Sequence, residues 1–388
     1  MSQNKVPILD LKPQYQVIKN EIKAAVDRVL ESGQFVLGPE VNQFETDVAK
    51  YLRVRHAIGV NSGTDALVIG LRALGIGTGD EVITTPFSFF ATAESISMVG
   101  AKPVFVEIDS ASFNIDPAEI RRYVTDKTKA ILPVHLFGNP APMAQILEIA
   151  DEHGLPVLED CAQSFGAVYK GDCSGCSDTC QKATRDRLSG QFTGAMGRVG
   201  AFSFFPTKNL GAYGDGGLIT TNDDAIAEMA RKLRVHGALK RYHNEVLGYN
   251  SRLDALQAAI LGVKLPYLDR WNQRRREVAE TYNRLLAEVA GVVTPVITAG
   301  HVFHQYTVRV LNDKRDAVKA YLAEQGIGAM IYYPIPQDCL PVYKGQFPTY
   351  PVSQQVAAEV LSLPIWPEIE PNVQAHVVAI LKEAIAAV

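Results

Sequence analysis

The stretch HAIGVNSGTDALVIGLRALG, residues 56–75, decides the fold. HAIGV is a short apolar run of strand type, and NSGTD breaks it with a glycine and small polar residues. DALVIGLRALG then brings apolar side chains round at helical spacing. The alternation repeats downstream: EVITT (81–85) leads to ATAESISMVG, and PVFVEI (103–108) to a helix near PAEIRRYV. KAILPVHLF (129–137) leads to APMAQILEIADEHG, and LPVLED (155–160) closes the series. Short apolar strands alternating with amphipathic helices predict an α/β fold, a mostly parallel sheet with helices on both faces.

Upstream, YQVIKNEIKAAVDRVLESG predicts a helix in which Ile18, Ile22, Val26 and Leu30 share a face and Gly33 stops the chain. Downstream, ALQAAILGVKLPYLDRWNQRRREVAETYNRLLAEV (255–289) predicts a long spine helix that Pro266 kinks. The expected division is a large domain at 1–253, then the spine and a smaller C-terminal α+β domain at 254–388. The N-terminal helix is expected against the small domain.

The chain has 388 residues, 47% hydrophobic, enough for a large core. Its 21% charge and net charge of -4 give no basic footprint for nucleic acid, and no apolar run has membrane-spanning length. The start, MSQNKVPILDLKPQY, lacks the basic head and apolar core of a signal peptide. Five cysteines, three of them clustered, do not form a secreted disulfide framework, so the expectation is a cytoplasmic protein.

In such a sheet, ligands bind beyond the carboxyl ends of the strands. NSGTDAL (61–67) offers Ser62, Gly63 and Thr64 at a helix start, either an anion site or an ordinary cap. After LPVLE, Asp160 and Gln163 either cap the next helix or serve a cationic partner, since a lone buried carboxylate is costly. Phe87, Phe89 and Phe90 end the strand EVITT, as core or as the cover of a planar ligand. AFSFFPTKNLGAYGDGG (201–217) sets Lys208 between an apolar run and a glycine-rich loop. That lysine is either solvated or an amine in a crowded site. GIGTG (75–79) follows a helix and precedes a strand, the wrong order for a dinucleotide loop.

Together these are the four parts that pyridoxal 5'-phosphate requires: a phosphate cradle, a ring cover, a carboxylate for the pyridine nitrogen and a lysine for the aldehyde. No metal is required.

SFFPTKNLGAYGDGG, EDCAQSFGA, NSGTDAL and GYNSRLDALQAAIL, with ILDLKPQY before them and YYPIP after, resemble the sugar aminotransferases of the DegT/DnrJ/EryC1/StrS family. The resemblance implies the type I pyridoxal-phosphate transferase fold of aspartate aminotransferase. It implies that Lys208 binds the cofactor aldehyde, Asp160 pairs with the pyridine nitrogen, and Gln163 lies near the ring hydroxyl. Gly63, Thr64 and Ser203 would bind phosphate, and Phe89 would stack on the ring. It further implies a homodimer in which Asn250 reaches the neighbouring subunit's phosphate, with Arg252, His243 and Tyr333 at the substrate. Arg252 is equally placed by sequence for an ion pair with Asp254 or Glu245.

The implied reaction moves an amino group from L-glutamate to a nucleotide-linked keto-sugar. NSRLD after RYHN is more like members that aminate carbon 3, above all the UDP-2-acetamido-3-keto-glucuronate aminotransferases of surface polysaccharide synthesis. Members making dTDP-3-amino-6-deoxyhexoses are similar too. The alternatives are carbon-4 amination or a sugar dehydratase, although dehydratases of the family carry histidine where this chain has Lys208. A cysteine desulfurase would stack histidine where Phe89 stands, and a non-catalytic regulator finds no helix-turn-helix. KGDCSGCSDTCQKATRDRLSGQFTG (170–194) is an insertion relative to the family pattern. Its Cys173, Cys176 and Cys180 are metal ligands or free thiols, no second ligand cluster being present. The insertion is expected to overhang the site.

Overall fold

A strand buried on both faces needs apolar side chains on both, and here each strand sends alternate residues to opposite cores. The computed structural model describes residues 5–171, 181–240 and 242–388; Cys173, Cys176 and Cys180 lie outside them. The large sheet is built from β1 (His56–Val60), β2 (Glu81–Thr84), β3 (Lys102–Phe105), β4 (Thr128–Ile131), β5 (Leu158–Asp160), β6 (Val199–Ser203) and β7 (Gly217–Thr221). Parallel bridges Ile131–Val157 and Val134–Asp160 join its two halves, so the order runs β3-β2-β4-β5-β6-β7-β1. Only β7 runs antiparallel to its neighbours β6 and β1.

The helices are α1 (Lys12–Ser32), α2 (Pro39–Leu52), α3 (Gly63–Ala73), α4 (Ala91–Met98), α5 (Pro117–Ile120), α6 (Met143–His153), α7 (Lys182–Leu188) and α8 (Asp224–Leu233). The spine follows as α9 (Ala255–Lys264) and α10 (Leu268–Leu286). One core joins α3, α4 and α8 to Ile58, Val82, Leu158, Ala201 and Ile219. On the other face, α2 and α9 meet Ala57, Phe202 and Leu218, and α6 meets Ile83, Ile131 and Val157.

Pro266 does interrupt the spine: a single 3-10 turn, Leu265–Tyr267, separates α9 from α10. A proline cannot donate the next helical hydrogen bond. The α1 stripe departs from the expected one. Ile18 and Ile22 are buried, but Ala25 and Val29 continue the buried face, and Leu30 is exposed. A four-residue spacing drifts round a 3.6-residue helix, so the stripe has to drop back to a three-residue step. Gly33 ends the helix in the left-handed conformation, φ 66°, as expected.

A separate core draws on Val6, the second half of α10, the strands β8 (Val292–Val293), β9 (Tyr306–Val310) and β10 (Val360–Leu363), and two further helices, α11 (Arg315–Glu324) and, at the end of the chain, α13 (Pro371–Ala387). By contrast α12 (Pro351–Glu359), between β9 and β10, packs on Phe87, Phe113 and Phe137. Among the described residues no helix is long and apolar enough to cross a membrane.

Candidate active site

The carboxyl ends of β1, β2, β5 and β6 open on one side of the sheet. There a cavity of about 550 Å³ is lined by Gly63, Thr64, Phe89, Asp160, Gln163, Ser203, Lys208 and Tyr333. Eight residues spread over 270 positions of sequence are thus brought together by topology alone.

The helix start of α3 is one wall. Ser62 caps it, its Oγ accepting from the Asp65 N–H at 3.1 Å. The Gly63 and Thr64 amides, as at any helix start, have no acceptor inside the helix. A Cβ on Gly63 would come within 2.6 Å of the Ser203 Cβ, so glycine is what lets the helix start and the end of β6 close into one cradle. The Ser62 cap is therefore present, and it leaves the Gly63 and Thr64 amides open to an anion.

Asp160 lies at the floor, only 4% exposed. The Thr92 hydroxyl donates to its Oδ2 at 2.9 Å and the Ala162 N–H to its Oδ1 at 3.1 Å. Burial raises its pKa, while those hydrogen bonds and the Lys208 charge pull it back. Each oxygen keeps a further acceptor position for an N–H from the cavity. Gln163 takes the Phe137 N–H on Oε1 at 2.6 Å and donates from Nε2 to the Tyr333 hydroxyl at 2.9 Å. Its second amide hydrogen is free to serve a ligand. Phe89 is 59% exposed, an aromatic face turned to the cavity rather than to the core.

Lys208 sits in the loop that returns from β6 to β7, its N–H donating to the Phe205 carbonyl at 2.8 Å. Burial lowers the ammonium to about 8, although the Asp160 charge pulls the other way. The free amine therefore becomes the major form only as pH rises past about 8.

Two residues of the site escape a sequence reading. Thr92, in α4, completes the Asp160 environment. His304, just before β9, lines the cavity with a buried Nδ1 that has no partner among the described residues. Burial, then the charges of Lys208 and Arg275, hold His304 well below its ordinary pKa, so it is neutral. By contrast Asn250, Arg252 and His243 do not line the cavity of their own chain. Asn250 and His243 are exposed. Glu245 is taken by Lys232 at 2.8 Å, and no ion pair joins Arg252 to Asp254 among the described residues.

The expectation that the insertion overhangs the site falls on residues 172–180, outside the described residues. The insertion's described end, α7, packs on α6, where the Gln181 N–H donates to Glu148. The Val168–Phe192 bridge closes its base, and none of the described residues of 168–199 lines the cavity. Glu159, facing opposite to Asp160, accepts from the Gly194, Met196 and Gly197 amides, which follow the insertion. His135 Nδ1 accepts from the Ala141 N–H, so Nε2 bears the proton and donates to Glu159 at 2.9 Å. With those lone pairs committed, His135, Glu159 and the nearby Cys161 act as a structural clamp beneath Asp160.

The residues present fit pyridoxal phosphate: amides and hydroxyls where only a glycine allows closure, a buried carboxylate on the floor, and an amine of lowered pKa above it. When bound, the cofactor supplies a protonated pyridine ring that withdraws electrons from the substrate carbon. Asp160 would hold that ring protonated, Gly63, Thr64 and Ser203 would hold its phosphate, and Lys208 Nζ is the amine that would hold the aldehyde and serve as proton carrier. A lysine and a strand-end aspartate in these places define a pyridoxal-phosphate-dependent aminotransferase of the type I fold.

The chain belongs to the DegT/DnrJ/EryC1/StrS aminotransferase family, whose model matches residues 16–382. It is 51% identical, over 97% of its length and 98% of the relative's, to the pleiotropic regulatory protein of Geobacillus stearothermophilus. It is 42% identical to the UDP-N-acetyl-3-dehydro-alpha-D-glucosamine 3-aminotransferase of Acidithiobacillus ferrooxidans, over 99% of this chain and 100% of that one. S. venezuelae DesV, solved in complex with a ketimine intermediate, is 41% identical and superposes with a TM-score of 0.91 over 99% of each chain. The first of these names speaks of regulation, but the family is one of aminotransferases, and Lys208 and Asp160 line one cavity here.

Proposed function

We propose that this enzyme transfers the amino group of L-glutamate to carbon 3 of a keto-sugar carried on a nucleotide, in cytoplasmic amino-sugar or surface-polysaccharide synthesis. The supporting observation is a complete Lys208–Asp160 site on a chain 42% identical, end to end, to an enzyme named for aminating carbon 3 of a UDP-sugar. Lys208 speaks against the dehydratase chemistry. Carbon 4 is the second reading.

The working unit is a homodimer of chains divided near 253, with substrate held where the two domains meet. Two features favour this. Tyr333, from the C-terminal half, is hydrogen-bonded to Gln163 of the large sheet at the cavity wall. Asn250 and His243 are exposed in a stretch of chain that also exposes the apolar Leu239 and Leu247. A second copy seated there would bring Asn250 to its neighbour's phosphate cradle and Arg252 to a substrate carboxylate, by two parallel hydrogen bonds.

The test is a panel of enzymatically generated 3-keto and 4-keto nucleotide sugars with L-glutamate as donor. Amination of a 3-keto substrate is the expected result. Turnover confined to 4-keto substrates selects the second reading, and a product formed without consumption of glutamate overturns both.

A further inference from the structure

The loop that carries Lys208 is gripped from the spine. Asn209, the next residue, donates to Asn272 Oδ1 of α10 at 2.7 Å and to the Val302 carbonyl at 3.0 Å. Further on, the Tyr213 N–H donates to Gln257 Oε1 of α9 at 2.8 Å. Between them lies the sharpest part of the turn. A Cβ on Gly211 would approach the Pro206 carbonyl oxygen to 2.4 Å, and the Ala212 N–H returns to the Phe204 carbonyl at 2.8 Å.

Lys264, the last residue of α9, reaches this turn from below. It is 1% exposed, and its Nζ donates to the Gly211 carbonyl at 2.6 Å while lying 4.1 Å from the centre of the Tyr213 ring. No carboxylate pairs with it among the described residues. A lysine buried without a counter-ion is an expensive way to satisfy one carbonyl, which leucine-like packing plus a water would do as well. A charged donor, however, grips a carbonyl about twice as strongly as a neutral one and binds an aromatic face besides.

We propose that Lys264 is a positioning residue for catalysis: it fixes the Gly211–Tyr213 turn and thereby the direction from which Lys208 Nζ addresses the cofactor. This rests on the assignment of Lys208 as the catalytic amine. Lys264 touches neither cavity nor substrate, and acts through the loop alone.

The test is Lys264→Met, which keeps the length of the side chain and removes the donor and the charge. In cofactor-free protein, hydrogen exchange of the 205–216 peptide is expected to quicken about tenfold, with α3 and the C-terminal core unchanged. In the holoenzyme, kcat is expected to fall about tenfold with KM for both substrates within about twofold, and the visible circular dichroism of the bound cofactor to change. A variant with a lower melting temperature but wild-type kcat and dichroism makes Lys264 a stability residue and overturns the proposal. If Lys264→Met does not fold, Tyr213→Leu, at a partly exposed ring, carries the test with a smaller loss of kcat and the same dichroic change; wild-type values overturn it equally. Lys208→Ala separates the two claims: turnover surviving in that variant sinks the catalytic assignment, whereas a dead Lys208→Ala beside a normal Lys264→Met sinks this proposal alone.

Discussion

Thr92 Oγ1 donates to Asp160 Oδ2 at 2.9 Å, and because its one proton is spent there, the Ser88 hydroxyl, 2.9 Å away, must be the donor to Thr92. A relay of two hydroxyls thus runs into the floor of the site and favours the ionised carboxylate.

Asp160→Asn should keep the cofactor but lower the rate of the half-reaction with glutamate by about 10²–10³, as a neutral amide cannot hold the ring nitrogen protonated. Thr92→Val removes only the supporting donor, so a loss nearer tenfold is expected. Single-turnover absorbance with glutamate measures both. An Asp160→Asn rate equal to wild type would show the carboxylate to be structural.

The titration of Lys208 predicts a pH dependence with a definite sign. In cofactor-free protein only the neutral amine attacks the aldehyde, so capture of pyridoxal phosphate should accelerate as pH rises through about 8. Asp160 raises that value, so Asp160→Asn should move the midpoint down. Stopped-flow absorbance from about pH 6 to about pH 10, roughly two units on either side of the lowered value of about 8, reads it. Lys208→Ala and Lys208→Arg should both lose turnover and the visible absorbance of bound cofactor.

Asp160 and Lys208 were legible because each breaks a local rule: a carboxylate ending an apolar strand, and an amine among aromatics and glycines. Thr92 and His304 break none. A threonine one turn into ATAESISM is an ordinary helix residue, and HVFHQY is an ordinary approach to a strand, so only tertiary contact marks them. The reversed direction of β7 did have a signal. No helix separates VGAFS from GLITT, and a parallel neighbour needs a crossover that an antiparallel one does not. Glu159 had none: its partners at 194–197 lie more than thirty positions on, brought beside it only because β6 pairs with β5.

Tyr333→Phe removes the hydroxyl that accepts from Gln163, and with it a polar tie between the sheet and the C-terminal half. Cofactor should remain bound, and KM for the keto-sugar should rise about three- to tenfold. An unchanged KM with a reduced kcat would place Tyr333 at the reacting atoms instead.

Replacing residues 182–190 by a short glycine-containing turn should leave both KM values within about twofold, because α7 packs on α6 and does not line the cavity. The cost falls on stability: Leu188 is buried against the α6 core, and its loss should lower unfolding free energy by about 2 kcal/mol. Denaturant melts and steady-state kinetics of the same variant decide it. A changed nucleotide-sugar KM with unchanged stability would place α7 at the site.

Asn250 gives the sharpest test of a shared site. It is exposed, outside the cavity of its own chain, and next to Ser251, whose hydroxyl donates to Asn61 Oδ1 at the phosphate-side turn. Lys208→Ala and Asn250→Ala should each be inactive as pure proteins. In a homodimer with sites built from both chains, a mixture can be rescued. A hybrid has one site with both lesions and one with neither. Equal mixing makes half of the dimers hybrids, so about one quarter of wild-type activity should return. Native mass spectrometry of differently tagged chains confirms exchange. If hybrids form and activity stays at the level of the parents, each site is built from a single chain, and Asn250 serves its own subunit.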